Sequence, residues 1–468
     1  MNKTTRIALI LAPLLAAAST ASAQSVVDAP VTSAVADSQA KAPVQANAPV
    51  REPFAFADFS WLNGNSRQTF SVLDAKAFTG EFRADINYIA QFNHPRDHTL
   101  VGTTEAGRTS EIQLQQLGIG GDFHYGHARG RLMTQFGMYS TMTPRNDASA
   151  ARGQWDLGNA YRYISEAYGG YHWDKLNGIN LDAGIFLSYI GLFSYYNFDN
   201  WAYQPSYVSS NTPWYFNGLR LQIFTSDRLK IEPWLINGWQ SYGTFNNTPG
   251  VGAEIQWRPT GTITIISNNY YGKDWLGIPD RWRIHTDNSL ELKYHDDSTR
   301  VYSKGAFSLT ADVGCESGGG VACKGNSNAS PAQNFLGAMF YNRSWFAGNV
   351  MGVTLGGGGM INPGRYLVLL PPINGATAFS GTPYFTQNPG DKFKAWDASA
   401  TLDYMPDQFT TFRFELNHRA ANVPYFAGSG GVTPPGGNTG TAGSLVPGWT
   451  PDLVKTETRL NLALLVKF

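Results

Sequence analysis

From residue 78 to its end the chain alternates between apolar and polar positions. In EFRADINYIAQF, Phe82, Ala84, Ile86, Tyr88, Ala90 and Phe92 share one parity, and Arg83, Asp85, Asn87 and Gln91 share the other. Side chains of an extended chain point to opposite faces in turn, so this period predicts a strand with one face in oil and one in water. The last segment, TETRLNLALLVKF, repeats the pattern. Leu460, Leu462, Leu464, Val466 and Phe468 lie on one face, Glu457, Arg459, Asn461, Ala463 and Lys467 on the other, and Leu465 alone is out of place. EIQLQQLGIGGDFHY keeps the period except for a one-residue slip near Gln115 and Gln116, which predicts a bulge.

The connections alternate as well. Short turns fall at Gly126-His127, DKLNG, 225–228, 259–261, 295–298, 346–349 and 405–408. Longer connections fall before Ser110, after Tyr139 and near 189–213, 240–249, 272–280, 316–332, 361–392 and 420–452. Counted from residue 78, this gives sixteen strands with seven short turns interleaved with eight long loops. A soluble sandwich has no reason to keep such an order, whereas an all-β transmembrane antiparallel β-barrel has short turns at one rim, long loops at the other and an even strand number. Eighteen strands result if 54–75 forms a further hairpin. Near the short-turn ends, Tyr125, Trp173, Trp257, Tyr294, Trp345, Tyr404 and Phe468 are expected on the apolar face as an aromatic girdle at headgroup depth. Phe468 would then close the barrel at that girdle.

Composition agrees: 50 Gly, 27 Phe, 23 Tyr and 13 Trp, with 15% charged residues. Lys3 and Arg6, the apolar run IALILAPLLAAA and the small-residue site Ala21-Ser22-Ala23 describe a secretory signal over 1–23. Residues 24–52, rich in Ala, Val and Pro without a period, read as a flexible leader. Residues 53–77 are ambiguous between a periplasmic or plug segment and an extra hairpin, and 78–468 form the barrel. No later run approaches the ~20 apolar residues of a membrane helix, so a membrane position requires a closed barrel. Cleavage after Ala23 removes two bases and no acid from a chain with 35 of each, and so near-neutral a protein gives no sign of nucleic-acid binding. Cys315 and Cys323 flank ESGGGVA, and in an exported chain such a pair predicts a disulfide across a loop.

No motif for catalysis is present. There is no G-x-S-x-G, no P-loop and no H-E-x-x-H, and the run Gly356 to Gly359 has no following Lys-Ser/Thr. It reads instead as a strand thinned for something to pack against. His124 and His127 flank a predicted turn and give no metal site. The expectation is therefore a chain without catalytic residues, cofactor or metal. The polar parity supplies a charged lining instead: Arg83 and Asp85 in the first strand, then Arg220, Lys230, Glu232, Glu254 and Arg258. In RWRIHTDNSLELKY it continues with Arg281, Arg283, Asp287, Glu291 and Lys293. In a barrel of sixteen strands this face surrounds a lumen wide enough for an aqueous channel, and its mixed signs predict weak ion preference.

One loop differs from the rest. YIGLFSYYNFDNWAYQPSYVSSNTPWYF, residues 189–216, has eleven aromatics and a single charge, Asp199. Left in water it would be costly, so it is expected to fold inward and constrict the lumen with Trp201, Tyr203 and Tyr207, or to act as an outer cap or a contact between protomers. Gly184-Ile185-Phe186, Gly191, Asn200-Trp201, Gly218-Leu219-Arg220 and Asn237-Gly238-Trp239 follow in succession around it. With these the sequence resembles the putative β-barrel porin-2, OmpL-like family of bacterial outer-membrane proteins, over most of 54–468. The resemblance implies a β-barrel in the outer membrane of a Gram-negative-type cell and carries no catalytic residues.

Together these readings lead to a porin for passive diffusion of small hydrophilic solutes. Its partners are expected to be outer-membrane lipid, those solutes and the barrel assembly machinery, which would read the terminal Phe468. A homotrimer enters by analogy with other porins. The alternative is a non-conducting barrel acting in adhesion or envelope structure through its long loops. A third reading is an exported soluble β protein that binds carbohydrate.

Overall fold

The computed structural model describes residues 52–103, 106–147, 149, 152–244, 246–275, 277–325, 332–364, 373–377 and 392–468. The expected signal and almost all of the leader lie outside the described residues. Sixteen strands run in chain order: β1 (Phe78–Gln91), β2 (Ile112–Tyr125), β3 (Ala128–Thr134), β4 (Ile164–Trp173), β5 (Ile179–Leu187), β6 (Tyr215–Ser226), β7 (Leu229–Ile236) and β8 (Gly250–Thr260), then β9 (Ile263–Gly272), β10 (Trp282–Asp296), β11 (Tyr302–Ser317), β12 (Asn334–Phe346), β13 (Met351–Asn362), β14 (Phe393–Tyr404), β15 (Thr410–Ala421) and β16 (Thr456–Lys467). Each pairs antiparallel with the next, and β16 returns to β1, with Arg459 opposite Gln91 and Lys467 opposite Arg83. The barrel is closed at sixteen strands. Residues 54–75 add no transmembrane hairpin; only Asp74–Ala75 form a short ladder, against β1.

Burial inverts the order of a soluble protein. Large apolar side chains such as Ile119, Phe123, Leu309, Phe340, Phe414 and Leu416 are exposed on the outer face, while Arg83, Glu232, Asp287, Glu415 and Arg459 are buried inside. On β14 the alternation is unbroken from Phe393 to Tyr404. Among the described residues no helix is long and apolar enough to cross a membrane; strands alone form the wall. The slip foreseen near Gln115 and Gln116 is a bulge: Asp85 lies opposite Gln116, but Ile86 opposite Leu114.

The seven short turns gather at one end, the periplasmic rim in an outer-membrane barrel. Of the girdle residues, Tyr125, Trp173, Trp257, Tyr294, Tyr404 and Phe468 are exposed on the outer face. Trp345 is not among them: it is buried in the lumen, its ring meeting Trp201 edge-on at 5.7 Å. Its parity is that of Arg343, which must face inward to reach Asp403 at 2.7 Å. Outside, Phe346 takes the place expected for Trp345 and packs on Tyr302 at 5.5 Å.

The barrel closes at its last residue. Phe82 and Phe468 exchange backbone hydrogen bonds, 2.9 Å from Phe468 N and 3.2 Å from Phe82 N. The Phe468 ring lies 5.9 Å from both Phe82 and Phe409. Leu465, which breaks the polar face in the sequence, is fully buried in an inner apolar cluster with Ile89, Phe198 and Tyr203. Phe468→Ala removes two ring contacts and should cost roughly 1 to 3 kcal/mol. The measurement is the fraction of heat-modifiable folded band after refolding in detergent, expected to fall; an unchanged fraction would show that the backbone ladder closes the barrel without the ring.

Candidate functional site

The site is the lumen, and it is built from inward-facing charges, most of them paired or hydrogen-bonded. Arg83 donates from Nη1 to Asp199 at 2.7 Å and lies 4.0 Å over the Tyr196 ring. Asp85 accepts from Asn197 (2.8 Å) and Tyr203 (3.0 Å). Arg220 pairs with Asp182 at 2.8 Å above the rings of Tyr168 and Phe186. Lys230 sits between Glu232 (2.7 Å) and Glu254 (2.6 Å). Arg283 reaches Glu316 at 2.7 Å, Asp287 accepts from Asn268 at 3.4 Å, and Lys293 pairs with Asp296 at 2.6 Å. Arg281 stands apart from this set: it precedes β10, and its Nη2 donates to the carbonyl of Gly319 in an outer loop. Cys315 and Cys323 form a disulfide beside that loop, with Cα atoms 5.2 Å apart.

The aromatic loop lies inside the barrel. Every residue from Tyr189 to Phe216 is buried. A backbone that enters a lumen leaves bulk water and must find its hydrogen bonds on the wall. Charged side chains of β12, β14 and β15 supply them. Glu415 accepts from the amides of Tyr203 (2.5 Å) and Gln204 (2.9 Å), and Asp397 from Ser206 Oγ (2.7 Å) and the amide of Tyr207 (2.8 Å). Arg413 donates to the carbonyls of Asn197 (3.1 Å) and Asn200 (2.5 Å), and Arg343 to that of Trp201 (3.2 Å). The loop's own sequence contributes a turn of helix, Tyr207–Ser210, in which the Ser206 side chain accepts from Val208 N at the N-cap.

Glycines give this turn its seat. A Cβ on Gly358 would lie 2.5 Å from Ser206 Oγ, and one on Gly337 would lie 3.0 Å from the Val208 side chain. Gly358 belongs to the run foreseen as a thinned strand, and the element that packs on it is the loop.

A second segment fills the lumen from the short-turn end. Trp61, Leu62 and Asn63 are buried in an apolar cluster and its surroundings, with Phe193, Trp201 and Met339 from loop and wall. Arg258 covers the rings of Phe54 (4.6 Å) and Phe59 (4.4 Å), and Asn63 N donates to Glu291 at 2.8 Å. The two inserted segments grip each other: Trp201 N donates to Asn63 Oδ1 (2.8 Å), and Gly64 N to the carbonyl of Asp199 (3.0 Å). Arg67 and Gln68 then tie the segment to the rim at the carbonyls of Thr410 (2.7 Å) and Lys467 (2.9 Å).

The aromatic content of the loop pointed to Trp201, Tyr203 and Tyr207 as constriction residues, and the structure puts all three in the lumen against the wall. It also brings in Arg343, Asp397, Asp403, Arg413 and Glu415, which parity marks as inward once β12, β14 and β15 are aligned but which stand far from the loop in the chain. The insertion of residues 54–65 has no such signal, because FAFADFSWLNGN shows no strand period.

A family model for putative beta-barrel porin-2, OmpL-like proteins matches residues 78–351. Among solved structures, the chain is similar to in-vitro folded OmpT, an outer membrane protein of Vibrio cholerae, at 8% identity over 85% of this chain and 100% of that one, TM-score 0.45. It is similar to the outer membrane channel DcaP of Acinetobacter baumannii at 12% identity, over 85% and 99%, TM-score 0.44. An anion-selective porin from Comamonas acidovorans matches at 11% identity, over 84% and 99%, TM-score 0.46. No curated protein matches.

The double substitution Trp201→Ala and Tyr203→Ala removes two rings from the lumen, together with the hydroxyl that donates to Asp85 and accepts from Asn87. Conductance in a planar bilayer should rise severalfold. An unchanged value would remove these residues from the constriction.

Proposed function

This chain belongs to the putative beta-barrel porin-2, OmpL-like family and lies in the outer membrane, and on that premise we propose that it is a passive diffusion channel for small hydrophilic solutes. The observation that carries the reading is the inner wall: a closed sixteen-strand face of polar and charged side chains in which acids and bases alternate. A barrel that served only as an anchor would gain nothing from burying so many charges, each of which has a desolvation cost. Their mixed signs suit polar solutes of either charge.

In the arrangement described, the loop and residues 54–66 occupy the lumen, so solute passage requires one of them to yield. The loop is joined to the wall at both ends and by many side-chain hydrogen bonds. Residues 54–66 are joined to the barrel in sequence only at β1, and their grip on the wall and loop is a handful of bonds. We take this segment as the part that leaves. Solutes, lipid and an assembly machinery that reads Phe468 complete the expected partners, with a homotrimer as the working oligomer.

The filled lumen also favours a second reading, a non-conducting barrel that acts through its outer loops. Residues 365–372 and 378–391 of one such loop lie outside the described residues. The two readings separate in one experiment. The protein and a variant lacking residues 53–66 are refolded, checked by heat-modifiable mobility and compared in a planar bilayer. Brief or small steps for the first and sustained larger ones for the second support a gated channel. Silence from both folded barrels would overturn the channel reading in favour of the second.

A further inference from the structure

On β9 and β10 the outer face departs from its apolar pattern. The lipid-facing parity of β9 runs Ile263, Ile265, Ser267, Asn269, Tyr271, and that of β10 runs Ile284, Thr286, Asn288, Leu290, Leu292. Register sets the four polar residues side by side, Asn269 opposite Thr286 and Ser267 opposite Asn288. On the flanking strands Ala253 and Ile255 of β8 and Val313 and Ala311 of β11 continue these two rungs. Residues of the other parity, Asn268 and Asp287, are buried in the lumen, while Asn269 is exposed on the outside.

This patch lies at membrane depth. Two apolar rungs, Ile263 with Leu292 and Ile265 with Leu290, separate it from Tyr294 of the inner girdle. Beyond it come Ile284, Tyr271 and Trp282, the last two with rings 6.4 Å apart. With the rise and tilt of a barrel strand, Asn288 is roughly 15 Å above Tyr294, inside an apolar band about 25 Å tall. Asn269 Nδ2 donates to Ser267 Oγ at 3.1 Å, and Asn288 Nδ2 to Thr286 Oγ1 at 2.9 Å. An amide has two donors and a carbonyl acceptor, so these single bonds leave the rest of both amides without a partner among the described residues. Lipid chains offer no hydrogen bond, and an amide turned toward them is costly. Other outward polar groups are better placed: Asn342 bonds the Tyr294 hydroxyl at the girdle (3.0 Å), and His418 pairs with Thr458 (2.7 Å) beside the Trp396 ring.

We propose that this patch seats a second copy of this chain, the Asn269 and Asn288 side chains of the copies meeting at the symmetry axis of the oligomer. Copies in one bilayer share depth and orientation, so lateral contact brings like level to like level. An amide both donates and accepts, so identical patches complement each other, and without charge they do not repel. Ser267, Ala253 and Ala311 are small enough for close approach, as at contacts between membrane helices. The proposal rests on the working homotrimer and names the surface through which it assembles.

The test uses the full chain refolded into lipid vesicles, with Cys315 and Cys323 already joined to each other. Asn288→Cys is oxidised in the vesicles and run unreduced beside Ile119→Cys, which is exposed to lipid on β2, across the ring. A covalent dimer is expected as the main product of the first and a trace product of the second. The double substitution Asn269→Leu and Asn288→Leu should leave the heat-modifiable fold intact and weaken association by about tenfold or more, read by sedimentation in mild detergent. A monomeric wild type without cross-linking at Asn288→Cys would overturn both the patch and the homotrimer. An oligomer that the double variant keeps at full strength, or that cross-links through Ile119→Cys as readily as through Asn288→Cys, would overturn the patch alone. The cysteine comparison decides the matter even if the double variant does not fold, and neither measurement depends on whether the barrel conducts.

Discussion

A bilayer offers no hydrogen bonds, and the remainder of this structure follows from that. Every strand backbone exposed to lipid must be paired on both sides, which only closure of the sheet achieves. The pairing of β16 with β1, finished by Phe82 and Phe468, is therefore the contact on which the other fifteen ladders depend. Closure also decides the fate of the side chains. Apolar residues of one parity go to lipid, and charged residues of the other parity are gathered inside a confined space.

That confinement poses a second problem, which the protein solves with its own chain. Charges inside a narrow lumen are poorly hydrated and must be paired or hydrogen-bonded. Some pair across neighbouring strands, as Arg220 does with Asp182. Others, such as Glu415, Asp397 and Arg413, are hydrogen-bonded to the backbone of the inserted loop. The same bonds solve the loop's problem, since its amides and carbonyls would otherwise be buried without partners. Wall and loop are thus complementary, and the aromatic side chains that would be costly in water fill the space between them.

The fold was legible because alternation along a strand is a local property. The parity of β1, β14 and β16 can be read without knowing what they pair with, and so can the bulge at Gln115 and the order of short and long connections. Trp345 lies inside because it shares the parity of Arg343, and an aromatic ring near a strand end does not by itself mark the girdle. Leu465 looked anomalous for a related reason: the sequence gives its face, but not that an apolar cluster including Phe198 waits there.

The sequence by itself determined a barrel wall of sixteen or eighteen strands, its oily outside, its charged inside and an aromatic loop with no place in water. Each of these rests on the type and spacing of nearby residues. Tertiary structure alone decided what occupies the lumen. The clasp of Asn63 with Trp201, the seat of Ser206 on Gly358 and the hold of Arg413 on Asn197 and Asn200 join parts of the chain that are distant in sequence. Such contacts depend on where closure places each strand around the ring, and no periodicity along the chain records that.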